Sequence, residues 1–160
     1  MLSGAVTAYR AKEIVETLMP HCERIITVPT PNSARVISLR ELARIPGHRL
    51  VESYFDEALL PRAPLAPVLF APCSFNSLNK LAHGIADNLA LSIVAEMVGA
   101  QLPVVVACSL NAQLWAHRQA QASISTLRGW GVRVLEPVPV AGGMSMSPMA
   151  AIIDAFLSAN

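Results

Sequence analysis

The sequence predicts a three-layer α/β fold in which a doubly wound parallel sheet carries helices on both faces. Short apolar runs rich in β-branched residues alternate with longer segments whose apolar residues recur about every 3.6 positions. The apolar runs have no polar face, as is typical of strands buried on both sides of a parallel sheet. Alternation of the two patterns along the chain gives the βαβα order of such a fold.

The elements follow in chain order. Helical periodicity covers about 5–19, and the run RIITVPT predicts a strand at 24–30. Residues 44–66 contain Pro and Gly with little periodicity, and they are predicted to form a long connection that could cover a site. The runs PVLFAPCS, PVVVACS and RVLEPVP predict strands at 67–74, 103–109 and 133–139. Helices are predicted at about 76–99, 112–129 and 148–158.

The sequence does not show which residues form the first strand of the sheet. In a doubly wound sheet the first strand lies near the middle, yet only residues 1–3 precede the turn predicted at Gly4. A missing central strand would leave buried backbone groups unpaired, at about 1 to 3 kcal/mol each. Three alternatives follow: the stretch MLSGAV forms a very short strand, residues upstream of Met1 supply the strand, or the sheet closes around four strands.

Composition excludes several classes of function. The 160 residues are enough for one domain, 1–160, and the net charge of +1 with 14% charged residues offers no basic surface for nucleic acid. There is no run of 18 apolar residues and no export signal, so we expect a soluble, cytoplasmic protein without membrane contact. The 53% hydrophobic content predicts that subunit contacts bury further surface. Cys22, Cys73 and Cys108 have no CxxC spacing, which predicts neither a disulfide nor a metal site.

Three predicted strands end in small polar residues. These ends read TPNSA at 30–34, APCSFNS at 71–77 and ACSLNAQLW at 107–115. Each one alone is an ordinary helix cap. Because the carboxyl ends of parallel strands meet at one edge of the sheet, together they could hold a phosphate and a flat polar ring without net charge.

Four stretches match motifs of a known family. They read GAVTAYRA at 4–11, PCSFNS at 72–77, KLAHGIADNL at 80–89 and CSLNAQLW at 108–115. They resemble four motifs of the homo-oligomeric flavin-containing cysteine decarboxylases. The first two stretches resemble the family's Gly-Ser-Ile-Ala-Ala-Tyr-Lys-Ala turn and its Pro-Ala-Ser-Ala-Asn-Thr motif. The last two resemble a Lys-x-Ala-x-Gly-x-x-Asp-Asn-Leu run and the Pro-x-Met-Asn-x-x-Met-Trp motif. This family includes phosphopantothenoylcysteine decarboxylase and peptidyl-cysteine decarboxylases. The resemblance extends over about residues 3–137.

The resemblance implies a single flavodoxin-like (Rossmann-like) flavoprotein domain that binds FMN at a subunit boundary of a homo-oligomer, a trimer or a dodecamer. It implies that Asn111 contacts the substrate carboxylate, with Leu110 beside it and Met144 in a flexible loop at 140–149 that could close over the substrate. It implies that Asp87 and Asn88 hold their loop and a neighbouring subunit. The implied cofactor-binding residues are Ser3, Gly4, Thr30, Pro72, Ser74, Asn76 and Ser77.

Two departures from the family pattern bear on mechanism. The family carries a His before the strand that leads into the Pro-Ala-Ser motif, and residues 56–72 contain none. Either His48 reaches the site as a catalytic residue or the chemistry is altered or lost; Asp56, Glu57 and Arg62 are other polar groups in this region. The family's Ala-Cys-Gly substrate clamp after the last strand is also missing.

The resemblance therefore predicts FMN-dependent oxidative decarboxylation of a carboxy-terminal cysteine, which removes CO2 and leaves an enethiol. The expected partner is a ribosomally made peptide or a small cysteine conjugate. Three alternatives stay open: a phosphopantothenoylcysteine decarboxylase, a flavin prenyltransferase-like enzyme, and a non-catalytic FMN-binding scaffold subunit. Asn111 and Trp115, and the scarcity of basic residues around the predicted site, argue against the prenyltransferase.

Overall fold

The computed structural model describes residues 1–60 and 65–159, and Arg62 lies outside these residues. Its parallel strands form two hydrogen-bonded groups. The first group pairs β1 (Ile25–Thr27) with β2 (His48–Leu50). The second places β4 (Val104–Cys108) between β3 (Val68–Cys73) and β5 (Arg133–Leu135).

Residues 1–3 join the two groups of strands. On one side, the Leu2 amide donates to the Val28 carbonyl at 3.1 Å and the Thr30 amide donates to the Leu2 carbonyl at 2.7 Å. On the other side, the Ser3 amide donates to the Pro72 carbonyl at 3.1 Å. Leu2 also forms a parallel bridge with Pro29. The alternative in which the start of the chain forms a very short strand is therefore confirmed.

With residues 1–3 counted as the first strand, the spatial order is β2, β1, residues 1–3, β3, β4, β5. In chain order this is 3-2-1-4-5-6, the order of a doubly wound dinucleotide-binding sheet. The predicted α/β class with parallel strands is confirmed. The strand order reverses between residues 1–3 and β3, and the crevice at such a reversal is where ligands bind.

Helices cover both faces of the sheet because the central strands are apolar on both sides. All residues of β3 and β4 are buried. Phe70 and Val106 pack with α3 (Phe75–Ala82), α4 (Leu89–Gly99) and α6 (Arg118–Gly129). Leu69 and Val105 pack on the other face with α1 (Ala11–Leu18) and α7 (Met149–Leu157). A short α2 (Leu39–Leu42) adds Leu42 to the core around residue 2.

Two helices predicted as continuous are interrupted. The stretch 76–99 divides into α3 and α4, because Gly84 takes a positive φ of 67° and Asn88 begins a new helix by accepting the Leu91 amide at 3.2 Å. The stretch 112–129 divides into α5 (Ala112–Ala116) and α6 at His117, whose backbone is extended. The His117 Nδ1 atom accepts the Gln119 amide at 3.0 Å and caps the second helix.

Two predicted loops contain strands. The long connection at 44–66 includes β2, the edge strand of the sheet. The loop predicted at 140–149 contributes to an antiparallel hairpin of β6 (Val138–Val140) and β7 (Gly143–Ser145), with a positive φ of 88° at Gly142. The predicted strand at 133–139 is correspondingly divided between β5 and β6. Of the helices in 1–60 and 65–159, none has the length and apolar character needed to cross a bilayer.

Candidate functional site

A cleft of about 830 Å³ lies where the carboxyl ends of the strands meet. Its walls come from the turns after residues 1–3, β1, β3 and β4, and the β6–β7 hairpin contributes the rim. The three predicted strand tips therefore converge on one hollow. The volume lies within the range of about 300 to 1,000 Å³ that is typical of small-molecule and cofactor sites.

Most of the residues predicted for the site line this cleft. They are Gly4, Thr30, Ser74, Asn76, Ser77, Leu110, Asn111 and Met144. Their side chains are small or polar, apart from Leu110 and Met144. Three predicted residues, Ser3, Pro72 and His48, are not among the lining residues that the structure describes.

Ser3 and Pro72 are hydrogen-bonded to each other beneath the residues that line the cleft. Ser3 is 1% exposed, and its hydroxyl donates to the Pro72 carbonyl at 2.8 Å while accepting the Ser74 amide at 2.8 Å. Because the Ser3 amide also donates to the Pro72 carbonyl, the polar groups of Ser3 are engaged with the neighbouring turn. In the structure the polar groups of Ser3 are thus engaged within the chain, and neither Ser3 nor Pro72 is brought to the surface of the cleft that the described residues form.

His48 lies at the opposite end of the sheet. It begins β2 and pairs with Ile25, the first residue of β1, so it sits at the amino end of β1, whereas the residues that follow the carboxyl end of β1 line the cleft. It is half-buried, and burial lowers the pKa of its imidazole. The structure thus does not bring His48 to the predicted site. Its place at the start of an edge strand explains the difference, since strand register is not visible in the sequence.

The first wall of the cleft depends on close contact between two backbones. A Cβ atom added at Gly4 would lie 2.5 Å from the Asn32 carbonyl oxygen, so only glycine fits there. The turn leads into a helical segment that begins at Val6 and continues into α1. Among the described residues, the backbone amides of Gly4, Val6 and Thr7 have no acceptor. Such amides at the start of a helix are suited to bind an anion.

The second and third walls are capped helix starts. Ser74 accepts the Ser77 amide at 3.4 Å and donates to the Ser77 hydroxyl at 3.2 Å, at the start of α3. Asn111 accepts the Leu114 amide through Oδ1 at 2.8 Å, at the start of α5. Asn111 is exposed, and its Nδ2 group has no acceptor within the described parts of the chain. This arrangement leaves a carboxamide donor at the edge of the cleft.

The cleft carries almost no net charge. Of its described lining residues only Lys80 and Asp87 are charged, and these two form an ion pair. The hydrogen bond from Lys80 lowers the pKa of Asp87. Asn88 donates to Asp87 at 3.0 Å as well as capping α4, so this group holds the loop between α3 and α4. The described residues of this chain therefore offer an anion in the cleft mainly neutral donors.

Sequence reasoning missed two hydroxyl residues of the cleft. Thr7 donates to the Ser109 hydroxyl at 2.8 Å, and both residues line the cleft. Ser109 falls inside the strand-end stretch 107–115, which was the available signal. Thr7 lies in a predicted helix and in the stretch GAVTAYRA, whose family counterpart has Ala at that position, so the resemblance did not mark its hydroxyl.

Among the described residues, no cysteine lines the cleft and no cluster of metal-ligand side chains is present. Cys73 and Cys108 are fully buried behind its walls. Burial raises the pKa of Cys108 to about 12 and also raises that of Cys73, so both thiols stay protonated. Residues 1–60 and 65–159 contain no group of three or more His, Cys, Asp or Glu side chains that could hold a metal ion.

The sequence is similar to those of several known proteins. The coenzyme A biosynthesis bifunctional protein CoaBC of Mycobacterium tuberculosis is 28% identical over 141 residues, which cover 85% of this chain and 33% of that protein. The chain thus spans about one third of the length of that relative. A Streptococcus mutans protein named as a phosphopantothenoylcysteine decarboxylase is 27% identical over 143 residues, covering 85% of this chain and 79% of its own.

Solved structures share the fold. The FMN-dependent cysteine decarboxylase SpaF superposes with a TM-score of 0.82 at 26% identity, covering 98% of this chain and 92% of its own. The peptidyl-cysteine decarboxylase EpiD superposes with a TM-score of 0.80 at 20% identity, covering 98% and 94%. The sequence profile of the Flavoprotein family matches residues 1–159. The chain therefore belongs to the Flavoprotein family.

Proposed function

We propose that this chain binds FMN in the cleft and catalyses oxidative decarboxylation of the carboxy-terminal cysteine of a peptide. The observation that carries the proposal is the convergence of three uncharged strand tips on one cleft, with the Asn111 carboxamide at its edge. The similarity to SpaF, an FMN-dependent cysteine decarboxylase, supports it. When bound, FMN would supply the two-electron oxidation that accompanies loss of CO2.

The residues present fit this cofactor. The Gly4 turn brings free backbone amides to the start of a helix, which suits a phosphate. Thr30 faces the same space, and its hydroxyl lies 3.2 Å from that of Ser33. The small side chains of Ser74 and Ser77 leave room for a flat ring beside the second wall. We therefore assign cofactor binding to Gly4, Thr30, Ser74, Asn76 and Ser77.

Asn111 is assigned to the substrate carboxylate. Its Oδ1 atom is fixed by the Leu114 amide, which directs the Nδ2 donor away from α5. A neutral carboxamide can bind an anion without adding a charge that would compete for a proton. Leu110, which is buried, and Met144 on the hairpin provide apolar surface beside this donor.

A peptide substrate is favoured over phosphopantothenoylcysteine by the residues around the cleft. The hairpin contains no cysteine at the place of the family's clamp, and the chain lacks the family's His before β3. The second candidate remains a phosphopantothenoylcysteine decarboxylase, because several sequence relatives carry that name. A prenyl phosphate fits less well, since the lining cation Lys80 is paired with Asp87.

We infer that the chain acts as a homo-oligomer, a trimer or a dodecamer, and that it is cytoplasmic. Apolar side chains stand exposed at the cleft: Val6 is 84% exposed, Tyr9 68% and Val140 47%. Exposed apolar side chains grouped at a site are typical of an interaction surface. A neighbouring subunit that covers them would also complete the wall of the cofactor site.

The purified chain tests the proposal directly. A yellow protein with an absorption band at about 450 nm would support FMN binding. Incubation with peptides ending in cysteine should then remove about 46 mass units, the sum of CO2 and two hydrogens. Peptides ending in serine serve as the control, and phosphopantothenoylcysteine tests the second candidate. A yellow protein that alters neither thiol substrate would indicate a scaffold subunit, and a colourless protein that cannot be reconstituted would exclude a flavin function.

A further inference from the structure

Thr7 and Ser109 form a hydrogen-bonded hydroxyl pair in the wall of the cleft. The Thr7 Oγ1 atom donates to Ser109 Oγ at 2.8 Å, although the two residues are 102 positions apart in the chain. Thr7 is 6% exposed and Ser109 is partly buried. The pair thus joins the turn after residues 1–3 to the tip of β4, on either side of the point where the strand order reverses.

The hydrogen bonds of this pair leave one donor unused. A hydroxyl group has one proton to donate and two lone pairs that accept. The Thr7 proton is used in the bond to Ser109, and the Ser109 amide donates to the Cys73 carbonyl at 2.9 Å, which fixes the backbone. The Ser109 hydroxyl proton has no acceptor in residues 1–60 and 65–159. Since Thr7 occupies one lone pair of Ser109, this proton is directed away from Thr7.

The cleft needs such a donor. Its lining cation, Lys80, is held by Asp87, so acceptor atoms of a bound molecule must be met by neutral groups. The family turn that resembles residues 4–11 has Ser and Ala where this chain has Ala5 and Thr7. A hydroxyl is thereby moved two positions along the turn, to the place where it reaches Ser109.

We propose that Ser109 is a further cofactor-binding residue, whose hydroxyl donates a hydrogen bond to an acceptor atom of FMN, and that Thr7 is a positioning residue that orients it. The proposal rests on the proposed FMN function. Thr7 acts only through Ser109, so its removal should have no effect once Ser109 is absent. This dependence separates the proposal from independent structural roles of the two side chains.

The test is the dissociation constant of FMN, measured by quenching of flavin fluorescence with apoprotein. Ser109→Ala should weaken binding about three- to tenfold, as expected for loss of one hydrogen bond. Thr7→Val should weaken binding by a smaller factor, and Thr7→Ser should bind as tightly as the wild type. The double variant should match Ser109→Ala alone. Ser125→Ala, an exposed serine in α6, is the control and should leave binding unchanged.

Two further readouts separate the possible failures. The absorption band of bound FMN should shift in Ser109→Ala but not in Ser125→Ala, and the thermal midpoint shows whether each variant is folded. A folded Ser109→Ala variant with wild-type affinity and spectrum overturns the proposal while leaving FMN binding intact. Additive effects in the double variant overturn the positioning role of Thr7. A wild-type chain that binds no FMN overturns the proposed function and this inference together.

Discussion

Capping of α5 and the proposed substrate role of Asn111 can be separated by substitution. Its Oδ1 atom caps α5, and its Nδ2 atom is available to a substrate carboxylate. Asn111→Asp keeps the capping oxygen but replaces the donor with a negative charge, so we expect turnover to fall at least about tenfold with stability retained. Asn111→Ala loses both tasks and should also lose about 1 kcal/mol of stability. Turnover and thermal midpoints measured on FMN-loaded protein distinguish these outcomes, and an Asp variant with wild-type turnover would remove the substrate role.

Gly4 was predicted as a site residue for its nearness to a phosphate, and the structure adds a second reason. Because a Cβ atom there would lie 2.5 Å from the Asn32 carbonyl oxygen, Gly4→Ala must push the two turns apart. We expect a loss of about 1 to 3 kcal/mol in the free energy of unfolding, together with weaker FMN binding. Gly99→Ala is the matched control, because nothing lies within 4 Å of its added Cβ atom. Equal behaviour of the two variants would contradict the close approach.

At the scale of elements, the break between α3 and α4 gives a test of capping. Asn88 accepts the Leu91 amide at the start of α4, and the six buried residues of that helix pack in the main core. Asn88→Ala should lower the free energy of unfolding by about 1 kcal/mol, whereas Asn88→Ser should retain most of it. Denaturant titration measures both variants. If serine is as damaging as alanine, the cap is not what stabilises this helix start.

The strands and the helix breaks differ in how well a sequence can predict them. β3 and β4 were predictable because a run such as Val104–Cys108, buried on both faces, has no polar side. β2 was missed because it is an edge strand of only three residues, and its central residue, Arg49, is exposed. The break before Asn88 was missed because apolar periodicity continues on both sides of it, and a cap inside such a pattern looks like any other polar residue.

At the scale of the molecule, the cleft was predictable from one rule, that the carboxyl ends of parallel strands share an edge of the sheet. Thr30, Ser74 and Asn111 meet for this reason. The rule says nothing about which side chains at those ends are already engaged. The resemblance implied that Ser3 binds the cofactor, and it could not show that the Ser3 hydroxyl is held by the turn after β3. Whether His48 reaches the site could not be decided from the sequence, because a residue's position along a parallel strand depends on register, which long-range pairing sets.

Ser3 ties the two groups of strands to each other and to the cleft. Strand pairing connects β1 and β2 with β3, β4 and β5 through residues 1–3, and the Ser3 hydroxyl secures this junction by bonding to Pro72 and to the Ser74 amide. Ser3→Ala leaves the part-buried Ser74 amide without its acceptor, so we expect a loss of about 1 to 2 kcal/mol in the free energy of unfolding. Because the same junction positions opposite walls of the cleft, FMN affinity should fall with stability. Ser125→Ala, which removes an exposed hydroxyl, is the control and should change neither the stability nor the FMN affinity. A Ser3→Ala variant as stable as the wild type would show that backbone hydrogen bonds alone hold the junction.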